Sequence, residues 1–147
     1  VTGRCRFIDM QGKEIRKPVT LYKEFWLLTR SYTVLQTLDY VSQPATFWHR
    51  EAIERVGAFD ETLYYTMDYD FSLRVGKHYP LCLIHQMLAS YRVHDGSKTF
   101  TSAAAIRAQF AEDLAIARKH GARGLVSTLH ALHNDLITFV YRKSVLS

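Results

Sequence analysis

The sequence predicts an α/β fold, a mixed sheet with helices on its faces and a helical hairpin at the C-terminal end. Three observations carry this expectation. Apolar residues recur at helix-like steps of three and four in several stretches, short apolar runs of strand length lie between them, and Gly, Pro and Asp mark the joins. A chain of 147 residues has room for one compact unit. Its 48% hydrophobic and 22% charged residues are the balance of a chain that folds. The longest apolar stretch, Leu136 to Tyr141, is broken by Thr138 and falls well short of the roughly 20 residues a spanning helix needs. The chain begins at Val1 with neither an initiator Met nor a basic-then-apolar leader, which reads as no signal peptide and a start cut from something longer.

Taken in order, Gly3 to Ile8 suit a strand, and Asp9-Met10-Gln11-Gly12 places Asp first and Gly fourth, as a type I hairpin turn prefers. Leu21, Phe25, Leu28 and Tyr32 predict one helix from about Leu21 to Asp39 with that stripe buried. After Gln43-Pro44, residues Ala45 to His49 read as a short strand with Phe47 and Trp48 on opposite faces. Glu51 to Val56 reads as a helix closed by Gly57. Thr66 is the expected N-cap of a helix from Met67 to Val75, ended by Gly76. Leu81 to Ile84 and Leu88 to Val93 suit strands, and 94–99 form a polar loop. A helix from Ser102 to His120 keeps Ile106, Phe110, Leu114 and Ala117 on one face, and a last helix carries Leu125, Leu129, Leu132, Leu136 and Val140. The expected organisation is a domain over 1–100 and a helical tail over 101–147.

Composition and motifs narrow the chemistry. Cys5 and Cys82 lack a C-x-x-C spacing, so neither a disulfide framework nor a zinc knuckle is expected and a reducing compartment fits. Net charge is +5 and favours anionic partners, but Lys and Arg are scattered rather than striped, which argues against nucleic acid. Neither a P-loop, a dinucleotide fingerprint nor a G-x-S-x-G elbow is present. Asp68 and Asp70 stand two residues apart on a predicted helix, on different faces, so they do not share one metal. Asp70 and Arg74, at i and i+4, read as an ion pair, which leaves Asp68 in the first turn as either a complement to the helix dipole or a general base. Arg92, His94 and Lys98 gather positive charge at a strand end, suited to a diphosphate or simply solvated. His130 and His133 have metal-like spacing without a companion ligand and read as packing or surface residues.

Several spaced motifs resemble family 2 glycosyltransferases. They are Gln43 to Ala52, the run Val56-Gly57-Ala58-Phe59-Asp60-Glu61, the acidic Met67-Asp68-Tyr69-Asp70 with Arg74, and Tyr91-Arg92-Val93-His94 followed by Gly96-Ser97-Lys98-Thr99. The segment Gly3 to Gly12 resembles the stretch that precedes these motifs, and Met67 departs from the family's usual Glu. The resemblance covers about the first 100 residues and implies the C-terminal, acceptor-side part of a GT-A domain without its nucleotide-binding half. It implies an inverting transfer of a sugar from a nucleotide-diphosphate donor to an acceptor hydroxyl, with Asp68 as base and Mn²⁺ or Mg²⁺ in the intact enzyme. Gln43 and Trp48 would shape the acceptor side, while Arg92, Lys98 and His94 would hold the diphosphate, His94 also as a metal ligand. Asp70 and Arg74 complete the substrate-contacting candidates. A cytoplasmic location near the inner face of a membrane, polysaccharide synthesis and self-association of the isolated piece through an open sheet edge are the accompanying expectations. The competing expectation is a non-catalytic anion- or nucleic-acid-binding or assembly module.

Overall fold

Asp9 organises the first turn as expected: its Oδ1 accepts hydrogen bonds from the backbone N–H groups of Gln11 and Lys13, and Gly12 takes the positive φ of 82° that the turn demands. The computed structural model describes residues 1–94, 96 and 102–144. This turn joins β1 (Thr2–Ile8) to β2 (Glu14–Ile15). Along the chain follow α1 (Lys17–Leu27), α2 (Tyr32–Thr37), a 3-10 turn (Gln43–Ala45), α3 (Arg50–Val56), α4 (Met67–Gly76), β3 (Leu83–Arg92), α5 (Ala103–Lys119) and α6 (Leu125–Ser144). The sheet has the order β2-β1-β3, with β2 antiparallel and β3 parallel to the central β1, so it is mixed, as expected. Helices connect β2 to β3, the usual consequence of returning a chain to a parallel neighbour.

Three local readings are corrected. The single helix expected from Leu21 to Asp39 is broken, because Arg30 adopts a left-handed φ of 49° and Ser31 then caps α2 by accepting from Val34 N–H. The expected strand over Ala45 to His49 is a 3-10 turn followed by one antiparallel bridge, Thr46 to Thr2. The two runs around Leu81 to Ile84 and Leu88 to Val93 form one strand, β3.

The apolar stripes are inverted as well. Leu21 and Phe25 of α1 and Leu28 just after it face solvent, as do Leu125, Leu129, Leu132 and Leu136 of α6. Toward the protein α1 turns Thr20 and Leu27, and α6 turns Ser127, His130 and Asn134. The side chain of Val140 lies outside the described residues. Rings link the two exposed stripes: Phe25 packs on Trp26, Trp26 on Tyr22, and Tyr22 stacks flat on His133.

One core unites the segments on either side of residue 100. Leu35, Leu38, Tyr40, Tyr69 and Leu73 pack with Ile116, Ala117 and Ala122. Polar bonds reinforce the joint. Gln36 donates from its amide to His120 O, and His130 Nδ1 lies 2.8 Å from Gln36 O. Glu112 of α5 accepts from the N–H groups of Tyr64 and Tyr65 and from the Thr66 hydroxyl. Thr66 thus stands at the expected N-cap of α4 but gives its hydroxyl to Glu112 instead of capping the helix.

The expected i,i+4 pair forms, and it anchors α4. Asp70 is 1% exposed; Arg74 Nε bonds its Oδ2 at 2.7 Å and His120 Nε2 bonds its Oδ1 at 2.8 Å, with Lys119 Nζ at 3.6 Å. The other Arg74 nitrogens donate to the carbonyls of Val56, Gly57 and Ala58, and the guanidinium lies over Phe71. Gly57, at φ 82°, turns the chain so that these carbonyls converge. Buried ions survive only when paired and hydrogen bonded on every side, and this pair is.

Two outcomes follow for stability. Arg74→Met strips Asp70 of its main partner and should lower the unfolding free energy in urea by about 3 kcal/mol; a loss under about 1 kcal/mol would show that His120 alone suffices. Burial opposes the Asp70 charge, but the hydrogen bonds from His120 and Arg74 outweigh it and hold the carboxyl below its ordinary value. A lowered folded-state pKa gives stability that is present above about pH 4 and lost as pH falls further. Asp70→Asn should flatten that acid limb.

Candidate functional site

The first turn of α4 presents Asp68 at the wall of a cavity of about 360 Å³. Asp68 follows Thr66 and precedes the buried Tyr69 and Asp70, so the helix phase that buries those two leaves Asp68 half-exposed. Its Oδ1 accepts from the N–H of Tyr69 at 3.0 Å, which orients the carboxylate. On β1, Cys5 and Phe7 alternate onto one face and form the floor together with Tyr91 of β3, which meets Phe7 edge to face at 5.7 Å. Burial pushes the Cys5 thiol up, so it acts as an apolar filler.

Of the catalytic and substrate-contacting candidates from the sequence, Gln43 and Asp68 share this cavity, and His130 and His133, read there as packing or surface residues, line it as well. Trp48 does not: it packs edge to face on Phe71 and lines a separate hollow of about 160 Å³ beside Tyr79. Asp70 and Arg74 are corrected as substrate contacts, since their charged atoms are spent inside the fold. Arg92 donates from one nitrogen to the carbonyls of Asp9 and Met10, holding the hairpin turn. At the strand end His94 is exposed, and its Nδ1 accepts from Gly96 N–H. Neither Arg92 nor His94 belongs to the cavity wall, and Lys98 lies outside the described residues. Among the described residues no group of three His, Cys, Asp or Glu side chains is arranged to hold a metal ion.

The structure adds groups that the motifs did not reveal. Asp39, just past α2, and Asp113 of α5 join Asp68 around the cavity, with Lys23 as the lysine on the wall. Lys23 Nζ is 3.9 Å from Asp39 Oδ2 and also donates to Val41 O. The Asp39 side chain, 28% exposed, is mostly buried. That burial pushes it up to about 6, with Lys23 opposing the rise and the charge of Asp68 adding to it. Burial likewise raises the Asp113 carboxyl well above the ordinary range, helped by the charges of Asp39 and Asp68. Gln109, His133 and Asn134 supply neutral polar groups from α5 and α6. His130 is a buried packing histidine held on Gln36 O, as its spacing had allowed, and burial lowers its pKa.

A signal for Asp113 was present. It lies three residues after Phe110 and four before Ala117, within the apolar stripe of α5, where a carboxylate has no ordinary reason to be. Asp39 and Lys23 gave no such signal, because their meeting depends on the break at Arg30.

Comparison of the sequence and the structure with protein-family models, curated proteins and solved structures yielded no match.

The raised carboxyls carry a signed consequence. A folded-state pKa above the unfolded one means the folded protein binds the extra proton, so the stability it gives is full below about pH 4 and fades as pH rises through about 6 for Asp39. Asp39→Asn should therefore raise the unfolding free energy at pH 7 by about 1 to 3 kcal/mol, and flatten the decline between pH 4 and 6. An unchanged decline in chemical denaturation would assign it to Asp113 or another group.

Proposed function

We propose that this chain is the acceptor-side portion of an inverting glycosyltransferase and that Asp68 is its general base. The observation that carries the reading is the division of labour on α4. Asp70 is consumed by Arg74 and His120, whereas Asp68, two residues earlier, stands half-exposed at the wall of a cavity it shares with Gln43. These are the acidic motif and the glutamine on which the glycosyltransferase resemblance rests. The ring-rich wall of Phe7, Tyr22, Tyr65 and Tyr91 suits the flat apolar faces of a sugar.

In this reading an acceptor hydroxyl binds against Asp68 within hydrogen-bond reach. As its oxygen attacks the anomeric carbon of the donor, the bond from that carbon to the diphosphate breaks and the hydroxyl proton passes to Asp68. The products are the new glycoside, with inverted configuration, and the nucleoside diphosphate. The Tyr69 N–H fixes the Asp68 carboxylate so that no reorientation is needed during transfer. The donor and the Mn²⁺ or Mg²⁺ ion that would offset its charge belong, in this proposal, to a nucleotide-binding half that these residues do not build.

In a protein that carries out the transfer, Asp68→Asn keeps the acceptor for the Tyr69 N–H but cannot take the proton. It should lower kcat by roughly 10²- to 10⁴-fold with the melting temperature unchanged. Retained transfer would remove Asp68 from the role of base. The 147-residue chain alone is expected to bind no UDP-sugar at micromolar concentration in calorimetry with Mn²⁺; tight binding would contradict the assignment of the donor to a separate half.

A further inference from the structure

The part of the chain beyond the glycosyltransferase resemblance builds one side of the cavity. Gln109, Phe110 and Asp113 come from α5, and His133 and Asn134 from α6. Two atoms of this wall, Gln109 Oε1 and His133 Nε2, are buried and have no hydrogen-bond partner in the protein. Buried polar atoms in native proteins are nearly always satisfied, so such a pair on one cavity wall marks a place for water or a ligand. The ring of His133 is not free to turn away, since it stacks on Tyr22 at 5.9 Å with planes only 7° apart and its Nδ1 is 3.2 Å from Asn134 Oδ1.

Charge decides which ligand. Asp39, Asp68 and Asp113 surround the cavity against the single ammonium of Lys23, and that ammonium is shared with Asp39 and Val41 O. A phosphate entering here would meet carboxylates and find no free cation among the described lining residues, a repulsive site for a donor diphosphate. Hydroxyl groups, which both donate and accept, match amide, imidazole and carboxyl groups equally well. Burial raises the Asp113 carboxyl well above its ordinary range, which favours the protonated form and with it a carboxylic acid donor. At about 360 Å³ the cavity lies at the lower end of the range for small-ligand sites.

We infer that α5 and α6 form the recognition wall for an uncharged, polyhydroxylated acceptor, which Gln109, Asp113 and His133 hold by hydrogen bonds; the inference rests on the glycosyltransferase reading. The wall selects which acceptor is bound, while Asp68 acts on the hydroxyl that is presented to it.

The test is a titration of the full chain, followed in ¹H–¹⁵N spectra, with the methyl glycosides of glucose, galactose, mannose and N-acetylglucosamine and separately with inorganic pyrophosphate. At least one glycoside should shift the side-chain amides of Gln43 and Gln109 saturably, and pyrophosphate should shift neither. Gln109→Leu removes an oxygen with no internal partner, and His133→Phe keeps the ring on Tyr22, so the remaining spectrum should show an intact fold. Each should weaken glycoside binding about tenfold; Gln109→Met, which keeps the side-chain length but removes the orphan oxygen, should do the same if the leucine variant misfolds. No response to any glycoside, a response to pyrophosphate, or wild-type affinity in the folded variants would overturn the inference. Failure here while Asp68→Asn abolishes transfer would sink the recognition wall alone, and glycoside binding with full transfer by Asp68→Asn would sink the catalytic reading alone.

Discussion

The buried carboxylate of Asp70 is the interaction on which the rest of the arrangement depends. It draws Arg74 from its own helix and His120 from the end of α5 into one network, and Arg74 in turn gathers the carbonyls of Val56, Gly57 and Ala58. Two segments far apart in sequence, 56–58 and the end of α5, are fastened to α4 through the Asp70–Arg74 pair. Because each partner supplies a directed hydrogen bond, the network fixes the position and rotation of α4 more tightly than apolar packing would. The first turn of that helix carries Asp68, so the rigidity bought at Asp70 is delivered to the cavity. Glu112 completes the arrangement by tying the chain entering α4 to α5.

That same architecture explains how a modest chain makes a polar cavity. The floor comes from β1 and β3, the acid at its edge from α4, and the opposite wall from α5 and α6. Carboxyls placed around one low-dielectric space cannot all ionise cheaply, and the cavity manages this by unequal environments. Asp39 has Lys23 at 3.9 Å, burial raises the Asp113 carboxyl well above its ordinary range, and Asp68 is partly exposed at the wall.

Much of this was legible in the residues, for local reasons. Asp9 and Gly12 specify a turn whose chemistry is complete within five residues, and Ser102 caps α5 by accepting from Ala105 N–H. The span of α4 and its i,i+4 pair are equally local. What could not be read was the direction in which an amphipathic helix points. Leu125, Leu129, Leu132 and Leu136 form a regular stripe, yet the opposite stripe of Ser127, His130 and Asn134 faces the protein, because Gln36 O and Phe110 O offer those polar groups buried partners. Periodicity defines a face and says nothing of which side is covered. The cavity acids Asp39 and Asp113 are 74 residues apart in sequence and meet only through the fold. Trp48 and Arg92 show the converse: motif positions whose side chains serve packing and a turn.

A base that takes the acceptor proton in a single displacement leaves a stereochemical signature that no structural role for Asp68 would produce. The most direct measurement is the configuration of the newly formed glycosidic bond, read from the anomeric proton coupling of the first product by NMR during transfer. The account predicts inversion relative to the donor sugar. Retention would contradict it, since it would require a covalent intermediate or a front-side route in which Asp68 is not the base described here.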